Sequence, residues 1–238
     1  TGHSDAQAYI FLTNDNELVI SCRGTESRSD VLTDLKAWKN NLYDVYYHNN
    51  YCRFRNKFGV PTVHAGFYDQ YNTIKFIIYH KIYNYLLTKP KNPKIVFTGH
   101  SLGGALATIG ALCTAVQFSN RNDVEIKCYT YGSPRVGNSC FAKIFNKFVH
   151  ESERIVNDLD PVPMIPRMTG YKHVKGLKHI CNDDKGIGIF TFNKAYQKFN
   201  SFMFKIFKVI YYSKTEDHSL NEYERKLKVC NVKTFTDP

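Results

Sequence analysis

The stretch KIVFTGHSLGGALATIGAL, Lys94 to Leu112, decides the fold. It begins as an alternating run that turns wholly apolar and stops at Gly99. His100 and Ser101 follow, then two glycines and a helix-like sequence. Lys94–Thr98 predicts a strand, and Leu102 to about Phe118 predicts a helix. Gly99-His100-Ser101-Leu102-Gly103 therefore fits G-x-S-x-G at a strand-to-helix turn. Such a turn strains the serine so that its Oγ stands at the C-terminal edge of the sheet. Side chains at the glycine positions would collide with neighbouring backbone. The start of the helix offers free N–H groups and a positive dipole end to developing negative charge. A bare G-x-S-x-G match is weak. The strand before it and the apolar helix after it make Ser101 a candidate nucleophile, with His100 a packed residue of the turn.

Outward from this stretch, strands and helices alternate. Residues 6–24, AQAYIFLTNDNELVISCRG, read as a hairpin turning at Asn14-Asp15-Asn16. Ser29 to Trp38 carries Val31, Leu32, Leu35 and Trp38 at helical spacing. Residues 40–54 are aromatic and polar and suggest irregular strands. His64 to Pro90 reads as a long helix ended by proline. EIKCYTYG is a further strand, NSCFAKIFNKFVH a helix and SERIVND a strand. A proline-punctuated loop, DLDPVPMIP, comes next. GYKHVKGLKHI reads as an edge hairpin, 193–212 as a second long helix and Leu220–Val229 as a last one. This order predicts an α/β fold, a central, mostly parallel sheet flanked by helices. No repeat and no composition shift marks a boundary, so residues 1–238 read as a single domain.

Composition bounds the function. Of 238 residues, 43% are hydrophobic and 22% charged, enough to bury a sizeable core. There is no apolar run long enough to span a bilayer. TGHSDAQAYIFL lacks the basic-then-apolar pattern of a signal peptide. The chain starts at Thr1, so secreted and cytoplasmic settings both stay open. A net charge of +11 attracts phosphate, as nucleic acid or anionic lipid. No nucleic-acid-binding signature accompanies it, and the lysines read mainly as solvated. None of the seven cysteines has metal-ligand spacing. Cys113 and Cys128 read as buried small hydrophobes. One disulfide, from Cys22 or Cys52, is left open. The absence of Asn-x-Ser/Thr leans toward a reducing or unglycosylated setting.

A serine hydroxyl needs a base, and the base needs an orienting carboxylate. With a G-x-S-x-G turn the chain order is Ser, then Asp or Glu, then His. Asp160, biased away from helix by Pro161, and Asp158 are the candidate carboxylates. His150 precedes them in sequence and fails the order. His218, in a polar loop before a helix, is favoured as base, with His173 the alternative. Two N–H groups must meet the oxyanion. Leu102 supplies one, and the strand end at Arg23-Gly24-Thr25 offers the other, unless Thr25 is only a helix cap.

RGTES, VHAGF, GHSLGGALA, YGSPRVGN, NDLDPVPMIP and DHSLNEY occur in this order from about residue 6 to 228. In these landmarks the chain resembles the class 3 lipase family of α/β-hydrolases, related to fungal triacylglycerol lipases and plant phospholipases. The resemblance implies Ser101 as nucleophile, Asp160 and His218 as its triad partners, and Thr25 and Leu102 as oxyanion-hole donors. It places His173 at a structural strand position and implies neither metal nor organic cofactor. Residues 26–38 match a short lid, with Ser29 in it and Val31, Leu32 and Leu35 as its apolar side. This lid is mostly polar, so weak interfacial activation is expected. The helix predicted over 193–212 carries Phe199, Phe202, Met203, Ile206, Phe207 and Ile210 on one face and lysines on the other. It reads as a core helix with a solvated face, or as one lying on anionic membrane. The expected activity is hydrolysis of lipid acyl esters. Phospholipase A1 or feruloyl-type esterase activity, and a non-catalytic lipid-binding protein, are the alternatives. Oligomeric state is not readable.

Overall fold

The computed structural model describes residues 6–24, 39–42, 45, 59–157, 160–166, 170–183, 186–190 and 215–229. Its strands are β1 (Ala8–Leu12), β2 (Leu18–Cys22), β3 (Lys39–Asn41), β4 (Thr62–His64), β5 (Lys94–His100), β6 (Glu125–Tyr131), β7 (Glu151–Asn157), β8 (Leu177–Asp183) and β9 (Gly186–Phe190). Its helices are α1 (Ala65–Leu87), α2 (Leu102–Gln117), α3 (Ser139–Phe148) and α4 (Leu220–Val229). One seven-stranded sheet has the order β1-β2-β5-β6-β7-β8-β9, and β3 pairs with β4. From β2 through β8 neighbouring strands run parallel; β1 and β9 close the edges antiparallel.

The predicted first hairpin is present. Its turn is closed by Thr13 N–H to the Glu17 carbonyl at 3.0 Å and Asn16 N–H to the Thr13 carbonyl at 2.9 Å. The predicted edge hairpin lies elsewhere. Lys172 forms only a bridge to Gly137, a turn at Gly176 breaks the run, and β8 then joins β7 in parallel. The edge hairpin is β8 with β9. Alternation over 171–180 had merged a bridge and a strand into one pattern.

Helix α2 is apolar all round, and Leu102 through Val116 are buried. That suits a helix enclosed on all sides; it packs on β2, β5 and β6 and between α1 and α3. Helix α1 buries Phe67, Tyr71, Ile74, Ile78, Ile82 and Tyr85, an amphipathic stripe at intervals of three and four. The Tyr85 hydroxyl donates to the Asn16 carbonyl at 2.8 Å, tying its end to the first turn. Asn138 caps α3 by accepting the Phe141 N–H at 2.8 Å. Cys22, Cys113, Cys128 and Cys140 are buried, and Cys22 and Cys128 are free thiols. The disulfide left open for Cys22 is therefore not made; burial pushes its thiol up to about 12. Cys52, the residues Ser29, Val31, Leu32 and Leu35 expected in a lid, and the basic helix predicted over 193–212 lie outside the described residues.

The sheet brings the start of α2 onto the end of β2. A Cβ added at Gly103 would stand 2.2 Å from the Cys22 carbonyl oxygen. No side chain fits that gap, because the atoms facing it are backbone of Cys22 and Arg23 at the end of β2. Gly103→Ala should lower stability by about 3 kcal/mol, the upper end of ordinary overpacking, read by urea unfolding. An unchanged unfolding midpoint would contradict this register of helix on strand.

Candidate active site

Strand β5 ends at His100, and the chain reverses into α2 through Ser101. Ser101 has φ 56° and ψ −125°, a conformation that L-residues avoid. Its N–H is held by the Tyr131 carbonyl at 2.9 Å. Its hydroxyl does not cap α2; the Oγ lies 2.8 Å from His218 Nε2. His218 ends a short 3-10 turn, Thr215–His218, directly before α4. His218 Nδ1 lies 2.9 Å from both Asp160 carboxylate oxygens. A carboxylate can only accept here, so Nδ1 carries the proton and Nε2 is left to accept from the serine hydroxyl.

Asp160 is 1% exposed. Its Oδ1 also accepts the Val162 N–H at 2.9 Å, and its Oδ2 the Tyr223 hydroxyl at 2.6 Å. The proline-rich segment after it forms a 3-10 turn, Val162–Met164, which turns the Val162 N–H back onto the carboxylate. Ser101, Asp160 and His218 are thus brought together as the sequence order predicted. The rival carboxylate, Asp158, lies outside the described residues.

The rival histidine, His173, is engaged elsewhere. Its Nε2 donates to the Pro163 carbonyl at 2.7 Å. Burial, then the Arg154 and Arg135 charges, hold its pKa well below the usual imidazole range. It is a neutral prop under the loop that carries Asp160. His150, set aside on chain order, accepts the Ile126 N–H at 3.1 Å.

Leu102 is the first residue of α2, where backbone N–H groups lack an intrahelical partner. Thr25 lies outside the described residues. Its neighbour Gly24 lies against the turn: a Cβ there would be 2.8 Å from the His100 carbonyl oxygen and 3.6 Å from Ser101 Cβ.

Several residues that hold the relay were not read from the sequence. Tyr223 on α4 is 1% exposed, donates to Asp160 and accepts the Asn157 N–H at 2.9 Å. Burial, and then the Asp160 charge, push its phenol well above the usual range. It sits within DHSLNEY, a segment read for its histidine alone. Lys226, one turn further on, is 3% exposed and donates to Asn157 Oδ1 at 2.7 Å, with Asp217 Oδ1 at 3.4 Å. Asn157 Nδ2 in turn donates to the Asp217 carbonyl at 2.8 Å. The residue before His218 is thereby clamped to the end of β7. A lysine so placed looks like any surface lysine in sequence. His100 is packed as expected, its ring 4.6 Å from that of His218, and its Nε2 also donates to the His218 carbonyl at 2.7 Å.

Gly132 clears the space for this assembly. It has φ 56°, and a Cβ there would be 2.6 Å from Asp160 Oδ2 and 3.1 Å from His218 Nδ1. The first glycine of YGSPRVGN is thus required twice, by backbone conformation and by contact.

Among the described residues no group of three or more His, Cys, Asp or Glu side chains converges as a metal site would need. Among them, too, no helix is long and apolar enough to cross a membrane. What the geometry can support is proton transfer from a serine hydroxyl to an imidazole braced by a buried carboxylate.

The chain is 37% identical over 114 residues to secreted mono- and diacylglycerol lipase 1 of Fusarium solani, covering 47% of this chain and 32% of that protein. It is 30% identical over 155 residues to the chloroplastic phospholipase A(1) DAD1 of Arabidopsis thaliana, covering 63% of this chain and 34% of that protein. The chain thus spans about a third of the length of these curated relatives. Among solved structures, the lipase of Rhizopus microsporus var. chinensis superposes with a TM-score of 0.60 at 27% identity, covering 77% of this chain and 60% of that one. These neighbours have the α/β-hydrolase fold, as expected from the sequence. The profile of the lipase (class 3) family matches residues 19–170, from β2 through the turn at Ser101 to the segment beyond Asp160, and the chain belongs to that family.

Proposed function

We propose that this chain is a serine hydrolase of lipid acyl esters, with Ser101 as nucleophile. The observation that carries the reading is the unbroken, buried hydrogen-bond relay from Ser101 through His218 to Asp160. In the reaction, Ser101 Oγ attacks the ester carbonyl carbon while His218 Nε2 takes the hydroxyl proton. Asp160 fixes the imidazole tautomer and stabilises the imidazolium. The Leu102 and Thr25 N–H groups are the proposed oxyanion donors; each such donor is worth about 2.7–4 kcal/mol at the transition state. His218 then returns the proton to the departing alcohol. Water, activated by the same imidazole, releases the fatty acid and restores Ser101. We extend the reading to residues 1–238 as one α/β-hydrolase unit, because α4 returns from the far end of the sequence to complete the site.

Acylglycerols are the substrates that the relatives' names favour. A second reading, a phospholipid substrate, is favoured by the net charge of +11, which draws the chain to anionic interfaces. The polar lid segment, with Ser29 among Val31, Leu32 and Leu35, supports activity on dispersed esters. A head-group panel assayed below and above the critical micelle concentration separates the two. Acylglycerol turnover that does not jump at that threshold is expected. Release of fatty acid from phospholipid alone would move the assignment to the second reading.

A fluorophosphonate probe should label Ser101, and Ser101→Ala should lose labelling and hydrolysis while unfolding like the parent. Hydrolysis by the alanine variant at parent rates would refute the mechanism, and a folded parent that takes no label would favour a non-catalytic lipid binder. Tyr223→Phe removes one donor from Asp160 and strands the Asn157 N–H. It should cost about 1–3 kcal/mol of stability and lower kcat roughly tenfold with little change in KM. A variant with parental kcat would show that the phenol does not support the relay.

A further inference from the structure

The relay leaves one buried charge unused. Arg154, on β7 three residues before Asn157, is 8% exposed. Its Nε donates to the Val174 carbonyl at 3.1 Å, and among the described residues the guanidinium has no other acceptor and no carboxylate partner. Burial first, and then the like charge of Arg135, push it down to about 10; it stays cationic at neutral pH. An uncompensated buried cation is strongly unfavourable, so something should answer it.

The space for an answer is present. Arg154 lines a cavity of about 10 Å³ with Thr108, Ser133, Lys172 and His173. That is room for one water or one monatomic ion. Among the described residues, the other cavity walls carry a second cation, Lys172, and two hydroxyls, and no acidic side chain. A water would satisfy hydrogen bonds and leave the charge unanswered.

We propose that this cavity binds a small monovalent anion of chloride size, held by the Arg154 guanidinium. The site lies behind the loop that carries Asp160. His173 holds the Pro163 carbonyl, and Arg135 donates to the carbonyls of Met164 and Pro166. The anion would therefore relieve the repulsion between two arginines and firm the backing of the Asp160–Pro166 loop. The proposal does not depend on ester hydrolysis and stands or falls separately from it.

Crystals of the full chain grown with bromide in place of chloride test it directly. An anomalous difference peak should lie in the cavity at hydrogen-bond distance from Arg154. In solution, at constant ionic strength, replacing gluconate by about 100 mM chloride should raise the Tm by roughly 2–4 °C. Arg154→Met should lose that anion dependence. If that variant does not fold, the bromide peak and the parent's Tm still decide. A water alone in the cavity, a protein carboxylate seated on Arg154, or a Tm indifferent to the anion would each overturn the proposal.

Discussion

The Asp160 carboxylate sits out of reach of bulk water, 1% exposed, and among the described residues three donors meet it there. They are His218 Nδ1–H, the Tyr223 hydroxyl and the Val162 N–H. Burying an ionised carboxylate without such partners is prohibitive. The donors arrive from separate parts of the chain: a turn after β7, the 3-10 turn at residues 215–218, and helix α4. Each segment must therefore dock correctly before the charge is satisfied. The same docking aligns His218 on Ser101. The requirement that stabilises the buried carboxylate is thus also the one that organises the reaction. Gly132 leaves the volume in which the groups meet, and the clamp of Lys226, Asn157 and Asp217 fixes the backbone on either side.

On the serine side the governing constraint is steric. The closeness of Gly103 to the Cys22 carbonyl fixes where α2 begins relative to β2. That contact holds Ser101 at positive φ, with its hydroxyl pointed away from the helix and toward the imidazole. It also brings Gly24 against the turn, so the strand end preceding Thr25 and the helix start at Leu102 border the same space.

Much of this was legible because it is periodic or punctuated. The apolar run from Lys94, the stripe of α1 and the uniformly apolar α2 each declare their element and its degree of burial. Ser101, Asp160 and His218 could be read because glycines, prolines and chain order mark their settings. Tyr223, Lys226 and Asn157 could not, since their roles depend on which long-range partner they meet, and no local pattern encodes that. The misplaced edge hairpin has a similar cause: alternation over 171–180 looks the same whether the partner is an adjacent strand or β7. Arg154 reads in sequence as an ordinary strand residue. Only its burial without a carboxylate partner among the described residues, visible in three dimensions, makes it noteworthy.

The account rests most heavily on covalent chemistry at Ser101. Rapid-quench mixing with a p-nitrophenyl acyl ester, followed by peptide mass analysis, addresses it most directly. The account predicts an acyl adduct on the Ser101 peptide that forms with the burst of p-nitrophenol and decays no more slowly than turnover. Steady turnover with no adduct on Ser101, or with the acyl group on another residue, would contradict it.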